Sequence, residues 1–142
     1  EKPNVIARAK SLSLKNLIWH DPVPKDVIMA FYKKLDVTFI GLKDLPLFKY
    51  GPTPNKLMDY LAAGKPIIYA INSSFDPVKK QNLGLSIKPE DGDALADAIV
   101  TMRDTGELKL KEMGSRSRNY VEKFHSYKEL ANQLNQIVEE IL

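Results

Sequence analysis

The stretch GPTPNKLMDYLAAGKPII, residues 51–68, predicts a loop, a short helix, a glycine stop and a strand in direct succession. Thr53 has a hydroxyl suited to capping a helix start, and Pro54 suits the first helical position, where no N–H group is needed. Leucines and alanines give the helix an apolar face for close packing, and Gly64 supplies the left-handed turn that ends it. The stretch therefore predicts a helix that leads from a surface loop into a buried strand.

Lys56 is the unusual residue of this stretch because it falls in the first turn of the predicted helix. The helix macrodipole disfavours a cation there by a few tenths to about 1 kcal/mol, and the free N–H groups of a helix start attract anions. A negatively charged ligand at the helix start would explain the position. The alternatives are a side chain that points into solvent, or an ion pair with Asp59, three residues further along.

The composition is that of one globular domain. The chain has 142 residues, of which 44% are hydrophobic and 27% are charged, enough for a real core. It contains no cysteine, which excludes disulfides and thiolate metal sites and is compatible with a reducing cytoplasm. The net charge of +3 permits an anionic ligand or an anionic membrane surface without requiring either.

Predicted strands and helices alternate along the chain. The expected strands are 16–19, 36–41, 66–71 and 84–87, and the expected helices cover about 3–13, a segment from 24 or 25 to 35, the segment before Gly64, 76–81, a segment capped by Asp91, and two segments in the tail. This order predicts a Rossmann-like parallel sheet flanked by helices on both faces. Ligands of such sheets bind beyond the carboxyl ends of the strands, where the 42–56 loop is expected to lie.

The residues from Pro54 to Ile68 resemble a known signature. Their pattern, P-x-K-x-x-D-Y-L-A-A-G-K-P-I-I, is similar to the nucleotide-sugar signature of the retaining GT-B glycosyltransferases of family 4, which has glutamate in place of Asp59. The narrower form P-N-K-L-x-D-Y resembles bacterial transferases that build surface polysaccharides from N-acetylated amino-sugar donors. The likeness extends over about residues 16–142.

The resemblance implies an architecture larger than this chain. Enzymes of the family have two Rossmann-like domains, and the second binds the donor. The chain has no counterpart of the acceptor-binding N-terminal domain, or of the Gly-rich loop and basic pair that open the donor domain. We therefore expect residues 1–142 to form a single nucleotide-sugar-binding domain, the C-terminal domain of a GT-B fold with its first strands missing, in a fragment or truncated product of a larger transferase.

The resemblance also implies roles for residues around the helix start. The family holds its donor with an acidic pair, and the second acid, which contacts the ribose hydroxyls, aligns with Asp59. The first acid, which touches the donor sugar, aligns with Gly51, so a different pattern of sugar contacts is expected. Thr53, Asn55 and Lys56 are the predicted phosphate ligands. Because retaining transfer expels a nucleoside diphosphate, positive charge at Lys56 would stabilise the departing phosphate.

Other titratable residues give weaker indications of a site. His20 follows the predicted strand 16–19 and so lies near the ligand edge, where it could contact the base or the diphosphate. Asp91 and Asp93 flank a glycine as in a metal-holding motif, but their position directly before a helix predicts capping. His20 and His125 have no cysteine partners, and neither a metal nor another cofactor is expected.

A basic run lies in the tail and comprises Lys109, Lys111, Arg116, Arg118 and Lys123, interleaved with Tyr120 and Phe124. Basic and aromatic residues alternate in this way in some nucleic-acid-binding helices. Glutamates interrupt the run, however, and helical spacing puts the two aromatic residues on the core side. We expect a solvated helix face and no nucleic-acid partner, with attraction to an anionic membrane leaflet as the alternative.

Together these features predict a glycosyltransferase that binds a nucleotide-diphosphate sugar, a UDP-sugar. The full-length enzyme would transfer the sugar with retention to a saccharide or lipid-linked acceptor in polysaccharide biosynthesis, whereas this part alone would be inactive. The expected location is the cytoplasm, or the inner face of the cell membrane. The alternatives are a non-catalytic, flavodoxin-like interaction module, which would bind no nucleotide, and a sugar-nucleotide epimerase of GT-B fold, whose acids and histidines have no counterpart here.

Overall fold

The computed structural model describes residues 2–52 and 54–141. The strands are β1 (Thr38–Gly41), β2 (Ile67–Ala70) and β3 (Gly84–Ser86). The helices are α1 (Lys2–Ser11), α2 (Ile28–Lys33), α3 (Asn55–Ala62), α4 (Pro77–Lys80), α5 (Gly92–Asp104), α6 (Glu107–His125) and α7 (Tyr127–Ile141), and a 3₁₀ turn covers Pro46–Tyr50.

The three strands form one parallel sheet in the order β1-β2-β3. Thr38 lies opposite Ile67, and Ile67 lies opposite Gly84. Every residue of β2 is buried, because this strand is central in the sheet and both of its faces are covered. The predicted α/β fold with a parallel sheet is confirmed.

Helices pack on both faces of the sheet, as predicted. One core joins the sheet to α3 and α4 and contains Ile40, Leu57, Leu61, Ile67, Tyr69, Ile71, Val78 and Leu83, with Tyr120 and Val121 of α6 against it. The other core joins Ile68 to Ala98 and Met102 of α5. Neighbouring residues of β2 therefore serve opposite faces, as the alternation of side chains along a strand requires.

The predicted strand at 16–19 is wrong. These residues lie in irregular structure after α1, and Ile18 is 80% exposed. Leu17, Ile18 and Trp19 have strand-forming character, but a strand also needs a neighbour that accepts and donates its backbone hydrogen bonds. In the part of the chain that the structure describes, the sheet has no strand beside this segment.

The helix of the signature starts one residue later than predicted. Pro54 is the residue before α3 and has extended backbone angles, so it precedes the first helical residue, Asn55. The predicted cap, Thr53, lies outside the described residues. Gly64 follows the end of α3 with φ of +67°, which confirms the left-handed turn.

Two further contacts fix helix positions. The Asp91 carboxylate accepts a hydrogen bond from the Ala94 N–H at 2.9 Å and caps α5, so the predicted capping role is confirmed. The Arg118 guanidinium of α6 donates to the Ala62 carbonyl at the end of α3. This bond satisfies one of the carbonyl groups that a helix end leaves without a partner.

The tail agrees with the predicted helices but only partly with their predicted apolar sides. Tyr120 and Val121 pack against the core, whereas Phe124 is 41% exposed, so the prediction that both aromatic residues face the core is wrong for Phe124. It lies close to the end of α6, at His125, where less of the core remains to cover it. The apolar residues of α7 are also exposed, at Leu130, Leu134, Ile137 and Ile141.

Gly114 of α6 should tolerate no side chain, because a Cβ there would collide with the carbonyl oxygen of Gly64. We expect Gly114→Ala to lower the free energy of unfolding by about 2 kcal/mol, since neither backbone can move aside cheaply. Gly92→Ala is the matched control, because a Cβ at this position of α5 meets nothing within 4 Å. Urea unfolding monitored by circular dichroism measures both changes, and equal effects would contradict the close packing of α6 on the turn after α3.

Tyr69 should make stability sensitive to alkaline pH. Burial, and to a lesser degree the charge of Asp76, raises the pKa of Tyr69 from 10.0 to about 12, and its hydroxyl has no hydrogen-bond partner among the described residues. The folded chain therefore holds the phenolic proton more tightly than the unfolded chain. The resulting stabilisation is present below pH 10 and is lost as the pH rises from 10 to about 12, by about 1.4 kcal/mol per pH unit.

Tyr69→Phe removes the phenolic hydroxyl, which is both the titrating group and a buried polar group with no hydrogen-bond partner among the described residues. Its unfolding free energy should match or exceed that of the wild type at neutral pH and fall less steeply above pH 10. Parallel urea titrations across this pH range measure the difference. Identical slopes for the two proteins would show that Tyr69 does not titrate in this way.

Candidate functional site

A cleft of about 390 Å³ opens where β1 ends and α3 begins. This volume falls within the range of small-molecule sites in proteins. The residues that line the cleft are Phe39, Ile40, Gly41 and Leu42 from the β1 side, and Pro54, Asn55, Lys56 and Tyr60 from the α3 side. The cleft therefore lies at the carboxyl end of a parallel strand, where the sequence predicted the ligand edge.

The start of α3 brings hydrogen-bond donors to this cleft. Asn55 and Lys56 belong to the first turn, whose N–H groups have no acceptor within the helix itself. Pro54, the residue at the cap position, has no side-chain oxygen to accept from them. The positive end of the helix dipole and the first-turn N–H groups together favour an anion at this point.

Lys56 adds a full positive charge at the same place. Its side chain lines the cleft and is exposed. In the described part of the chain, no carboxylate lies within ion-pair distance of its ammonium group. The pairing of Lys56 with Asp59, one of the two alternatives considered from the sequence, is therefore not formed.

Asp59 lies one turn further along α3 and is half-buried. Burial raises the pKa of both Tyr32 and Tyr60, and the negative charge of Asp59 raises them further. The two tyrosine rings meet edge to face with centroids 5.1 Å apart. Asp59 is thus held beside an aromatic pair, of which Tyr60 also lines the cleft.

His20 and Gly51 do not line the cleft. The His20 ring meets the ring of Phe31 edge to face at 5.6 Å, and the Phe31 ring lies 6.2 Å from that of Tyr32. A row of aromatic rings therefore connects the loop at His20 with Tyr60. Gly51, with φ of +96°, ends the 3₁₀ turn, and Thr53 lies outside the described residues.

The sequence reasoning missed a polar network at the same edge of the sheet. The Asn72 amide donates to the Asp44 carboxylate at 2.9 Å, and the Asp44 N–H donates to the Glu90 carboxylate at 2.9 Å. Each of these residues follows the end of a different strand by no more than about four positions, which is the signal that could have revealed them. The network ties the loop after β1 to the loops after β2 and β3.

A second cavity, of about 540 Å³, lies on the other face of the sheet between β1, α5 and α6. Although it is larger, its floor is apolar and comes from residues such as Val37, Phe39, Ile68 and Met102. The first cleft combines an apolar wall with convergent donors and an exposed cation, which is the pattern expected of a binding site. We therefore place the candidate site at the start of α3.

Residues 2–52 and 54–141 contain neither a metal-binding cluster nor a membrane-spanning helix. No group of three or more histidine, aspartate or glutamate side chains in these residues could hold a metal ion. In the same part of the chain, no helix combines the length and the apolar character needed to cross a membrane.

The fold and the site define the chain as a parallel α/β domain whose candidate site has a cationic helix start at the carboxyl edge of the sheet. The chain belongs to the glycosyl transferases group 1 family, whose family model matches residues 1–104, a range that includes the cleft. No curated protein matches the chain.

The solved structure of sucrose-phosphate synthase from Thermosynechococcus elongatus has a similar fold, with a TM-score of 0.73. The match covers 98% of this chain at 17% sequence identity, a level at which the likeness establishes the fold alone. The fold is therefore that of the GT-B glycosyltransferases. This chain spans only 34% of the length of the synthase chain.

Proposed function

We propose that the chain is the donor-binding, C-terminal part of a retaining glycosyltransferase whose donor is a nucleoside diphosphate sugar. The observation that carries the proposal is the position of Lys56, an exposed cation without a carboxylate partner among the described residues, at the start of α3. Membership of the glycosyl transferases group 1 family supports the reaction class. The resemblance of P-N-K-L-x-D-Y to amino-sugar transferases supports a UDP-sugar as the donor.

In this proposal the diphosphate lies against the first turn of α3. The N–H groups of Asn55 and Lys56 donate to the phosphate nearest the sugar, and the Lys56 ammonium contributes positive charge. The hydroxyl of Thr53 is a further proposed donor to this phosphate. Negative charge grows on this phosphate as its bond to the sugar breaks. Fixed donors and a cation at that position stabilise the transition state more than the ground state, which is electrostatic catalysis.

The nucleoside would occupy the aromatic side of the cleft. Asp59 is the proposed partner of the ribose hydroxyls; it does not itself line the cleft, but its charge acts on Tyr60, which does. Aspartate is shorter than the glutamate of the related signature, so the ribose must approach α3 more closely. His20, at the far end of the aromatic row, is the proposed contact for the base. Gly51 offers no side chain, so other groups must contact the sugar hydroxyls.

The acceptor requires a second domain in this proposal. This chain spans 34% of the solved relative's chain, which supports an enzyme in which another domain binds a saccharide or lipid-linked acceptor for polysaccharide synthesis. We propose a cytoplasmic location, where nucleotide sugars are available. Alone, residues 1–142 should bind the nucleotide weakly and transfer no sugar. The family assignment favours a transferase over an interaction module.

Titration of UDP into the purified chain, followed by calorimetry, tests the phosphate site. Lys56→Gln should weaken UDP binding by about tenfold to a hundredfold, the range for a lost hydrogen bond to a charged group. Uridine, which lacks the phosphates, should bind the variant and the wild type equally. Lys49→Gln is the matched control, because Lys49 is an exposed cation in the neighbouring 3₁₀ turn and does not line the cleft.

Asp59→Asn separates the ribose contact from the phosphate contact in the same experiment. It should weaken UDP and uridine by a similar factor, because both carry the ribose. Undiminished UDP binding by a protein with both Lys56→Gln and Asp59→Asn would refute the site. A wild-type chain that binds no UDP at all would favour the interaction module.

A further inference from the structure

A charged surface lies on α6, away from the cleft. The structure divides the basic run of the tail into two groups, of which the first is neutralised within the helix. Lys111 pairs with Glu107 at 2.6 Å, and Arg118 pairs with Glu122 at 2.5 Å. Within the described ranges, the second group, Lys109, Arg116 and Lys123, has no carboxylate at ion-pair distance.

The cations of the second group share one side of α6. They recur every seven residues, so they follow the helix axis at intervals of about 10 Å. Glu112, one turn before Arg116, is the acid that flanks this line, and it forms no ion pair within the part of the chain that the structure describes. The surface therefore keeps a net positive charge.

A shallow cleft of about 270 Å³ separates the end of this line from α4. Its lining comprises Gln81, Leu83, Arg116, Asn119, Tyr120, Lys123 and Phe124. Arg116 donates to the Asn82 carbonyl at 2.9 Å, which fixes the guanidinium at the border between α6 and the residues after α4. Gln81 lines the cleft, and the residue before it, Lys80, is an exposed cation at the end of α4.

Two exposed aromatic rings accompany these cations. The Lys80 ammonium lies 5.2 Å from the centre of the Phe75 ring, and the Lys123 ammonium lies 5.1 Å from the centre of the Phe124 ring. The rings are 46% and 41% exposed. We call Phe75, Lys80, Arg116, Lys123 and Phe124 the basic-aromatic patch.

The arrangement of the patch distinguishes between two anionic partners. Single-stranded nucleic acid is bound by aromatic rings whose faces are free to stack on bases, but ammonium groups cover a face of each ring here. At a membrane surface, aromatic rings lie at the level of the headgroups, and lysines extend their ammonium groups to the lipid phosphates. A membrane surface would use both the aromatic rings and the lysines of the patch in the positions that they already have.

We propose that the basic-aromatic patch attaches the protein to an anionic membrane surface by contacts with lipid phosphates. Each cation near such a surface contributes about a fivefold gain in binding, so three cations and two rings give a weak, reversible attachment. None of the patch residues lines the cleft at the start of α3, so membrane attachment and donor binding can be tested separately.

Vesicle co-sedimentation with the purified chain tests the proposal. The probes are vesicles of phosphatidylcholine alone and of phosphatidylcholine with about one third phosphatidylglycerol. The variant that carries Lys80→Gln and Lys123→Gln removes two cations from the patch. The control, Arg103→Gln with Lys111→Gln, removes two exposed cations that are paired with Asp104 and Glu107, so it changes the net charge equally.

The wild type should bind the phosphatidylglycerol vesicles at about 0.05 M NaCl and be released at about 0.5 M, where surface charges are screened. The patch variant should bind at least tenfold more weakly, and the control should bind as the wild type does. An absence of vesicle binding, or equal losses in the two double variants, would overturn the proposal. Patch-dependent binding to single-stranded DNA without vesicle binding would overturn it in favour of a nucleic-acid partner. UDP titration of the patch variant should be unchanged, which keeps this outcome separate from the donor-site proposal.

Discussion

The packing of α3 between the sheet and α6 is the constraint on which the rest of the molecule depends. Leu57 and Leu61 are almost wholly removed from solvent, at 2% and 0% exposure, and they join the core beneath β2. At the other end, the turn at Gly64 lies directly against Gly114 of α6. Because both ends of α3 are fixed, its first turn is held at the carboxyl end of β1, where it forms one wall of the cleft.

This anchoring explains how a cation is tolerated at the start of a helix. Lys56 loses at most about 1 kcal/mol to the helix dipole, whereas each buried leucine of α3 gains about 1.5–3 kcal/mol from burial. The packing therefore outweighs the unfavourable charge, and no carboxylate in the described residues neutralises it. The first turn of α3 therefore holds a positive charge beside N–H donors that the helix already orients, so the proposed anion would need little reorganisation to bind.

Local patterns in the sequence predicted the parts of the fold that local chemistry determines. The apolar run of β2, the turn at Gly64 and the Asp91 cap of α5 all follow from neighbouring residues, and all are confirmed. The prediction of a strand at 16–19 was wrong because strand formation depends on a partner elsewhere in the chain. The prediction that Phe124 faces the core was wrong because helical spacing gives the side of the helix on which a residue lies but not how far the core extends beneath that side.

The residues of the candidate site likewise differ in whether neighbouring residues or remote contacts determine their positions. Asn55 and Lys56 could be predicted because a helix start has a fixed chemistry, and the cleft lies beside them. The network of Asp44, Asn72 and Glu90 could not, because its bonds join loops that are remote in sequence. The contact between Tyr32 and Tyr60, which borders Asp59, likewise depends on how α2 packs against α3.

Amide correlation spectra of the labelled chain show most directly whether the first turn of α3 binds a diphosphate, as proposed. Addition of UDP should shift the backbone N–H resonances of Asn55 and Lys56, with much smaller shifts when uridine is added, because only UDP brings acceptors to these donors. If saturating UDP left both resonances in place while shifting others, the diphosphate would bind elsewhere and the proposed site at the start of α3 would be wrong.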